Sequence, residues 1–216
     1  RPEGKSGPMV RSLESFAEYY RRWSLVWEAQ ALLRARPMAG DDALAEDFMA
    51  LIDPIRYPEA LSDQDVREVR RVKARVEAER LPRGADPARH LKLGRGGLSD
   101  VEWLAQLLQL RHAGKHPELR TTSTVEALEA AAALDLIDAG DAVILLRSWR
   151  LASRIRSANV IWTGRLSDLL PSSRRDLEAV ARWCGYGQGN AAALEEDYLR
   201  LSRRARAVFE RVFYGQ

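Results

Sequence analysis

The stretch GLSDVEWLAQLLQL, residues 97–110, decides the fold. Ser99 and Glu102 have the three-residue spacing of a capping box, which marks the start of a helix. The apolar residues that follow cover most of the circumference of that helix: Val101, Trp103, Leu104, Leu107, Leu108 and Leu110. A helix that is apolar nearly all round lies inside a domain. We therefore predict that this segment is the central helix.

Helical patterns also precede this segment. Ser12 is a plausible cap, and apolar residues at intervals of three and four predict one helix to about Arg34: Leu13, Phe16, Tyr20, Trp23, Trp27 and Ala31. A short helix begins at Asp41 or Asp42 and is expected to stop at Pro54. The next helix begins at Ser62 or Asp63 and runs to about Leu81, with a narrow apolar seam of Val66, Val69, Val72 and Val76.

The sequence after the central segment is helical as well. Ser123 and Glu126 form a second capping box before an alanine-rich helix to about Leu136. A long helix over 142–161, a short one ending at Cys184 and a last one capped by Asn190 follow. No run alternates with period two, so little or no sheet is expected. The sequence predicts an all-α fold, a multi-helix bundle. Its longest break, 82–98, is the best candidate for an internal boundary.

The helix over 62–81 carries many charges outside its apolar seam. The helical spacing of Glu68 with Arg71, and of Lys73 with Glu77, predicts ion pairs on a solvated face. A docking surface is the other interpretation. It leads to an alternative function, a non-catalytic binding module that engages a regulatory partner through the charged helix 62–81.

Composition excludes several classes of protein. Hydrophobic residues make up 46% and charged residues 30% of the 216 residues, which is typical of a folded domain. Lys and Arg number 34 against 31 Asp and Glu, a net charge of +3 spread over the length, which argues against nucleic acid as a partner. Apolar runs are far shorter than the roughly 20 residues of a membrane span. One cysteine, Cys184, excludes an internal disulfide framework and suits a cytoplasmic location.

Familiar catalytic and metal motifs are not formed. Lys5 and Ser6 follow a glycine as in a phosphate-binding loop, but Gly7 and Pro8 prevent the helix that such a loop requires. His112 and His116 lack a third nearby ligand for zinc. We assign no catalytic residue and no metal ligand.

Two segments concentrate polar chemistry. In KLGRGGLSDVEW, residues 92–103, three glycines beside a helix start offer amides and a positive dipole end, which could hold a phosphate or a carboxylate. Asp100 would partly repel an anion there, so the residues alone favour a structural corner. In WEAQALLRAR, residues 27–36, charged and aromatic side chains share one helix, and a solvated face explains them as simply.

Together these segments resemble the glutamine synthetase adenylyltransferase family, two-headed enzymes that attach and remove AMP on a tyrosine of glutamine synthetase. The resemblance includes RPEGKSGP at residues 1–8, the segment 27–36 followed by Gly40 and Asp41, the segment 92–103, and QLLQL at residues 106–110. It covers nearly the whole chain.

The resemblance implies a particular organisation. Each half of these enzymes pairs a nucleotidyltransferase domain with a helical bundle, and the metal-binding Asp motif precedes the Arg-Pro-x-Gly segment. Residues 1–60 would then be the C-terminal part of a nucleotidyltransferase domain that is mostly absent, and 61–216 the helical bundle domain. The sequence of residues 92–103 resembles that of the C-terminal, adenylylating half of an actinobacterial-like enzyme more than that of the other half. The sister half would remove AMP by phosphorolysis.

The resemblance also implies ligands and partners. A tyrosine hydroxyl would attack the α-phosphorus of ATP, with Mg²⁺ neutralising charge. ATP and Mg²⁺ belong to the full-length enzyme, and this chain alone would hold neither and would be inactive. Glutamine synthetase is the implied partner, with a PII-type signalling protein as a second. By motif, the residues lining the nucleotide or substrate side would be Lys5, Glu28, Arg34, Arg36 and Lys92.

Overall fold

The chain folds as a bundle of helices. A computed structural model describes residues 6–215, and within them it contains nine α-helices and no β-strand. The helices are α1 (Leu13–Trp23), α2 (Val26–Leu32), α3 (Asp42–Arg56), α4 (Asp63–Arg80), α5 (Leu98–His112), α6 (Thr124–Ala133), α7 (Ala139–Thr163), α8 (Arg174–Trp183) and α9 (Ala191–Phe209). A 3-10 turn, Pro117–Leu119, follows α5, and a short π-helix, Glu210–Tyr214, extends α9. The predicted all-α fold is confirmed.

Helix α5 is the central element, as predicted. It contacts α2, α4, α6, α7 and α9, and its leucines are buried on several sides. Its start differs from the prediction. The N-cap is Gly97, without a side-chain cap, because the Ser99 amide donates to the Lys92 carbonyl at 2.9 Å. Glu102 does not complete a capping box either, since its carboxylate accepts from the Trp149 indole at 3.4 Å.

Two hydrophobic clusters form the core. The first joins α5 and α6 to parts of α2, α4, α7 and the C-terminal end of α9. The second joins the later part of α7 to α8 and the start of α9, together with Leu91 of the segment before α5 and Leu98, the first residue of α5. Trp149 of α7 packs against both clusters.

The first predicted helix is divided in two. Helix α1 ends at Trp23, and α2 begins at Val26. The carboxylate of Glu28 explains the break, because it accepts from the Leu25 amide at 3.2 Å and from the Tyr19 hydroxyl at 2.8 Å. The amide that a continuous helix would use internally is thereby satisfied by a side chain.

Pro54 does not stop α3 where the sequence predicted. It lies inside the last turn, and the helix continues to Arg56. Proline removes one backbone donor, but the Tyr57 amide still bonds to the Asp53 carbonyl at 2.9 Å. The helix therefore ends shortly after the proline.

The segment 82–98 contains buried residues and is anchored to the bundle. Leu91 is fully buried, and its amide donates to the Asp168 carbonyl at 2.7 Å. Gly94, Gly96 and Gly97 are buried as well. The domain boundary at 60/61 stays a prediction. Of the helices in residues 6–215, none has the length and apolar character needed to cross a bilayer.

Candidate functional site

The predicted site residues occupy separate places. Lys5 lies outside the described residues. Glu28 is buried, with both carboxylate oxygens engaged by Tyr19 and Leu25. It thus anchors the α1–α2 junction. The remaining three, Arg34, Arg36 and Lys92, are exposed.

Arg34 ties α2 to the beginning of α6. Its guanidinium donates to the Thr122 carbonyl and, at 2.6 Å, to the Thr124 hydroxyl. One turn earlier, the Gln30 amide donates to Gln106 of α5 at 2.7 Å. The polar face of α2 that the sequence singled out is therefore largely turned toward α5 and α6.

Arg36 lines an open cleft of about 360 Å³ between α1, the segment 35–41 and α3. The cleft wall is mostly apolar, and Asp41 and Arg11 are its other charged residues. Arg36 has no ion pair or side-chain hydrogen bond with the part of the chain that the structure describes. Large apolar side chains are exposed in this region: Met9, Val10, Trp23, Leu25, Trp27, Met38 and Leu44.

Lys92 is not brought close to Arg34. It lies beside the start of α5, whereas Arg34 contacts the start of α6, next to the other end of α5. Helix α5 has 15 residues. At 1.5 Å per residue, these two ends are roughly 20 Å apart.

The glycine-rich corner before α5 has little capacity left for an anion. The Gly96 amide donates to the Asp100 carboxylate at 2.7 Å, and the Leu98 amide donates to the Leu91 carbonyl at 2.9 Å. The Ser99 amide is likewise engaged by Lys92. A phosphate needs free amides at a helix start, and here the protein's own carboxylate and carbonyls use them. The geometry favours the structural interpretation.

Asp100 is also the centre of a buried charge cluster. Its carboxylate accepts from the Lys73 ammonium at 2.6 Å and from the Arg206 guanidinium at 3.0 Å. Glu77 accepts from the same two cations, each at 2.9 Å. Lys73 and Arg206 each lie 5.2 Å from the ring centre of Phe209. The cluster joins α4, α5 and α9.

The sequence predicted one ion pair of this cluster but placed it wrongly on a solvated face. The Lys73–Glu77 ion pair exists, but Lys73 has only 1% of its side chain exposed and does not lie on a solvated face. A signal was present, since Lys73 follows Val69 by four residues and so continues the apolar seam. The predicted Glu68–Arg71 pair does lie at the surface, at 2.8 Å.

Within the cluster, the opposite charges stabilise the ionised forms of Glu77 and Arg206. Burial opposes ionisation of Glu77, but the hydrogen bond from Arg206 and the nearby Lys73 ammonium outweigh it and lower the pKa of Glu77. Burial likewise works against charged Arg206, yet hydrogen bonding to Glu77 and the charge of Asp100 raise its pKa. These groups therefore stay charged and structural near neutral pH.

His90 fastens the loop before α5. The imidazole is buried, and its Nδ1 accepts from the Leu93 amide at 3.0 Å and the Lys92 amide at 3.3 Å. Burial is the main cause that lowers the pKa of His90 below its ordinary value of 6.5. Its role is that of a neutral hydrogen-bond acceptor.

The described residues do not group the ligands that a metal ion needs. In residues 6–215 no group of three or more His, Cys, Asp and Glu side chains could hold a metal ion. The buried carboxylates of the corner are neutralised by Lys73 and Arg206, and the nearby amides are engaged. The arrangement can hold helices together and present Arg36 and Lys92 to other molecules.

Comparison with known proteins gives two family matches in different parts of the chain. Residues 66–213 match the family described as GlnD PII-uridylyltransferase, and residues 1–51 match the family described as Glutamate-ammonia ligase adenylyltransferase. The first match covers more than half of the chain, which therefore belongs to the GlnD PII-uridylyltransferase family.

Individual relatives carry a more specific name. The chain is 60% identical to the bifunctional glutamine synthetase adenylyltransferase/adenylyl-removing enzymes of Leifsonia xyli subsp. xyli and Streptomyces avermitilis. It is 52% identical to the enzyme of that name from Mycolicibacterium smegmatis. These matches cover 100% of the chain but only 21% or 22% of each relative. The chain thus spans about a fifth of the length of these relatives, and its resemblance to them is confirmed.

Proposed function

We propose that the chain is the helical part of an enzyme that transfers AMP from ATP to a tyrosine of glutamine synthetase. The observation that carries the proposal is its 60% identity, over the full chain, with enzymes named for that activity. We place it in the C-terminal, adenylylating half of a cytoplasmic, two-headed enzyme. ATP and Mg²⁺ would bind to the nucleotidyltransferase domain, and a PII-type protein would be a regulatory partner.

The division of the chain is part of the proposal. Residues 1–60 would complete the nucleotidyltransferase domain, and 61–216 would form the bundle. Two features support this division. The two matched families lie on either side of 52–65, and the first segment exposes a set of large apolar side chains that a neighbouring domain would cover.

The site residues then have different roles. Arg36, in the apolar cleft, would face the nucleotide or the substrate tyrosine. Arg34 would hold the segment 33–41 against α6, and Glu28 would fix the α1–α2 junction. Lys92 lies farther away and would contact the protein substrate. Lys5 would line the nucleotide or substrate side, as its motif implies.

The test uses the complete encoded protein with glutamine synthetase, ATP and Mg²⁺. The wild-type enzyme should transfer AMP to the substrate, and Arg36→Ala should lower kcat/KM at least tenfold with an unchanged melting temperature. Arg204→Ala is the matched control, because it removes an exposed arginine of α9. Absence of AMP transfer by the wild-type protein would refute the function, and full activity of Arg36→Ala would remove that residue from the site.

The alternative binding module has less support. Lys73 and Glu77, two of the charged residues of α4, are used inside the protein. Only the outer face of α4 remains for a regulatory partner.

A further inference from the structure

A second exposed surface lies where α8 packs on α7 and α9. It is formed by the C-terminal end of α7, the connection 164–173 and α8, and we name it the arginine–tryptophan surface. Trp162 and Trp183 share an open cavity of about 450 Å³ with Ala179 and Arg182. Trp183 leaves 61% of its area exposed, which is unusual for the largest apolar side chain.

Further apolar residues of the same stretch of chain are exposed. Ile161, Leu166 and Leu169 are exposed, and Leu166 has 84% of its area in solvent. Single exposed apolar residues are common, but two exposed tryptophans that line one cavity mark a candidate interaction site. Tryptophan and arginine are also the residues most enriched among those that dominate binding energy at protein interfaces.

This surface has a moderate excess of arginine. Residues 156–183 contain five arginines and three carboxylates. All three carboxylates are engaged within the protein. Asp168 pairs with Arg156, Asp176 accepts from the Trp162 indole at 2.8 Å, and Glu178 accepts from the Gly189 amide at 2.6 Å.

Several arginines of the surface have no carboxylate of their own. Arg165, Arg174, Arg175 and Arg182 are exposed, and none forms an ion pair with residues 6–215. Arg174 and Arg175 occupy the first turn of α8, where the helix dipole disfavours cations. Arg175 additionally lies 5.9 Å from the centre of the Trp162 ring. The isolated domain gains little from this arrangement, whereas a negatively charged partner would benefit from it.

We propose that the arginine–tryptophan surface docks an acidic face of the protein substrate, which is glutamine synthetase if the proposed function holds. The partner would insert an apolar group between Trp162 and Trp183 and place carboxylates against Arg174, Arg175 and Arg182. A charged rim around a small apolar centre is typical of non-obligate protein–protein interfaces.

The experiment uses the complete enzyme and measures AMP transfer against the concentration of glutamine synthetase. The triple variant Arg174→Glu/Arg175→Glu/Arg182→Glu should raise KM for glutamine synthetase at least tenfold, with kcat nearly unchanged because none of the three arginines lines the cleft that contains Arg36. Higher salt should raise the wild-type KM and affect the variant less.

Two further variants accompany this experiment, one as a charge-matched control and one as a second change in the surface. Arg67→Glu/Arg203→Glu/Arg204→Glu introduces the same charge change on α4 and α9 and should leave KM unchanged. Trp183→Ala removes an exposed side chain without changing charge and should raise KM several-fold. If the arginine triple variant fails to fold, Trp183→Ala decides the question.

The outcomes separate this proposal from the proposed function. An unchanged KM in both surface variants overturns the docking proposal and leaves the function intact. If the wild-type enzyme transfers no AMP, direct binding of glutamine synthetase decides: wild-type binding that both variants weaken supports docking alone, and no binding refutes it. Loss of affinity for a DNA duplex with an unaltered KM would assign the surface to nucleic acid instead and refute the proposal.

Discussion

Gly96 lies directly against the backbone of Ser202, with no space for a side chain between them. A Cβ atom built on Gly96 would be 1.8 Å from the Ser202 carbonyl oxygen. Gly96 also has a φ of +71°, in the left-handed region that side chains disfavour. The close contact brings the start of α5 onto α9 and aligns Asp100 with Arg206.

We expect Gly96→Ala to lower the free energy of unfolding by more than about 3 kcal/mol, because backbone strain and overpacking act together. Gly84→Ala is the matched control. Gly84 has a φ of +79° and no atom within 4 Å of a built Cβ, so it tests strain alone, at about 1 kcal/mol. Urea unfolding measures both variants. Equal losses would show that the contact with Ser202 can relax.

The charge cluster gives a second prediction. Asp100→Asn leaves Lys73 and Arg206 with one carboxylate partner fewer in a buried setting, and should cost about 3–5 kcal/mol. Lys73→Met should also destabilise the protein, since Asp100 then loses a close cation. The double variant removes both charges, so its loss should be clearly smaller than the sum. Additive losses in urea unfolding would mean that the two side chains are not energetically coupled.

Stability should depend on pH through two histidines. Burial is the main cause that lowers the pKa of His90 and of His112 below 6.5. A lowered pKa means that the unfolded chain takes up the proton first. The neutral histidines therefore make their full contribution to the free energy of unfolding above about pH 6.5. That contribution is lost as the pH falls through this value toward the lower folded-state pKa.

The measurement is chemical unfolding at several pH values between 7 and 5.5. His90→Asn keeps an acceptor for the Leu93 amide and removes the titrating ring, so it should weaken the loss of stability over this range. His90→Asn/His112→Asn should weaken it further. A double variant as sensitive to pH as the wild type would contradict the assignment.

Glu28 should behave as a structural residue. Glu28→Gln can keep the bond from the Leu25 amide, but its NH₂ group then faces the Tyr19 hydroxyl, which must accept instead of donate. Both bonds also lose the charge of the carboxylate. We expect a loss of about 1–3 kcal/mol in unfolding experiments. In the complete enzyme, AMP transfer by the folded fraction should change less than with Arg36→Ala. A large fall in activity at unchanged stability would instead place Glu28 at the reacting groups.

The fold could be predicted from sequence where one physical signal dominated. The apolar circumference of 98–110 identified the central helix, and the Ser62 and Ser123 caps were correct, with side chains accepting from the third residue on. The capping box predicted at Ser123 is not completed, because Glu126 accepts from the Thr121 hydroxyl and not from the Ser123 amide. The α1–α2 break was missed, because the apolar spacing continues through Ser24 and Leu25. The local competition from the Glu28 carboxylate is invisible to periodicity.

The site was harder to predict than the fold. Motif density drew attention to 92–103, but the structural role of Asp100 in this segment depends on Lys73 and Arg206, which are distant in sequence. The arginine–tryptophan surface was missed for a related reason. A net charge averaged over the chain conceals which cations have partners, and only the folded structure shows that.

Helix α7 runs through both parts of the core. Its 25 residues give it a length of about 37 Å, and Trp149 near its middle touches the two apolar clusters. If either apolar cluster came apart, helix α7 would lose part of the packing that holds it in place, and the other cluster needs the same helix. The two clusters should consequently unfold as one cooperative unit. Amide protons around Trp149 should then exchange with solvent only when the entire domain unfolds.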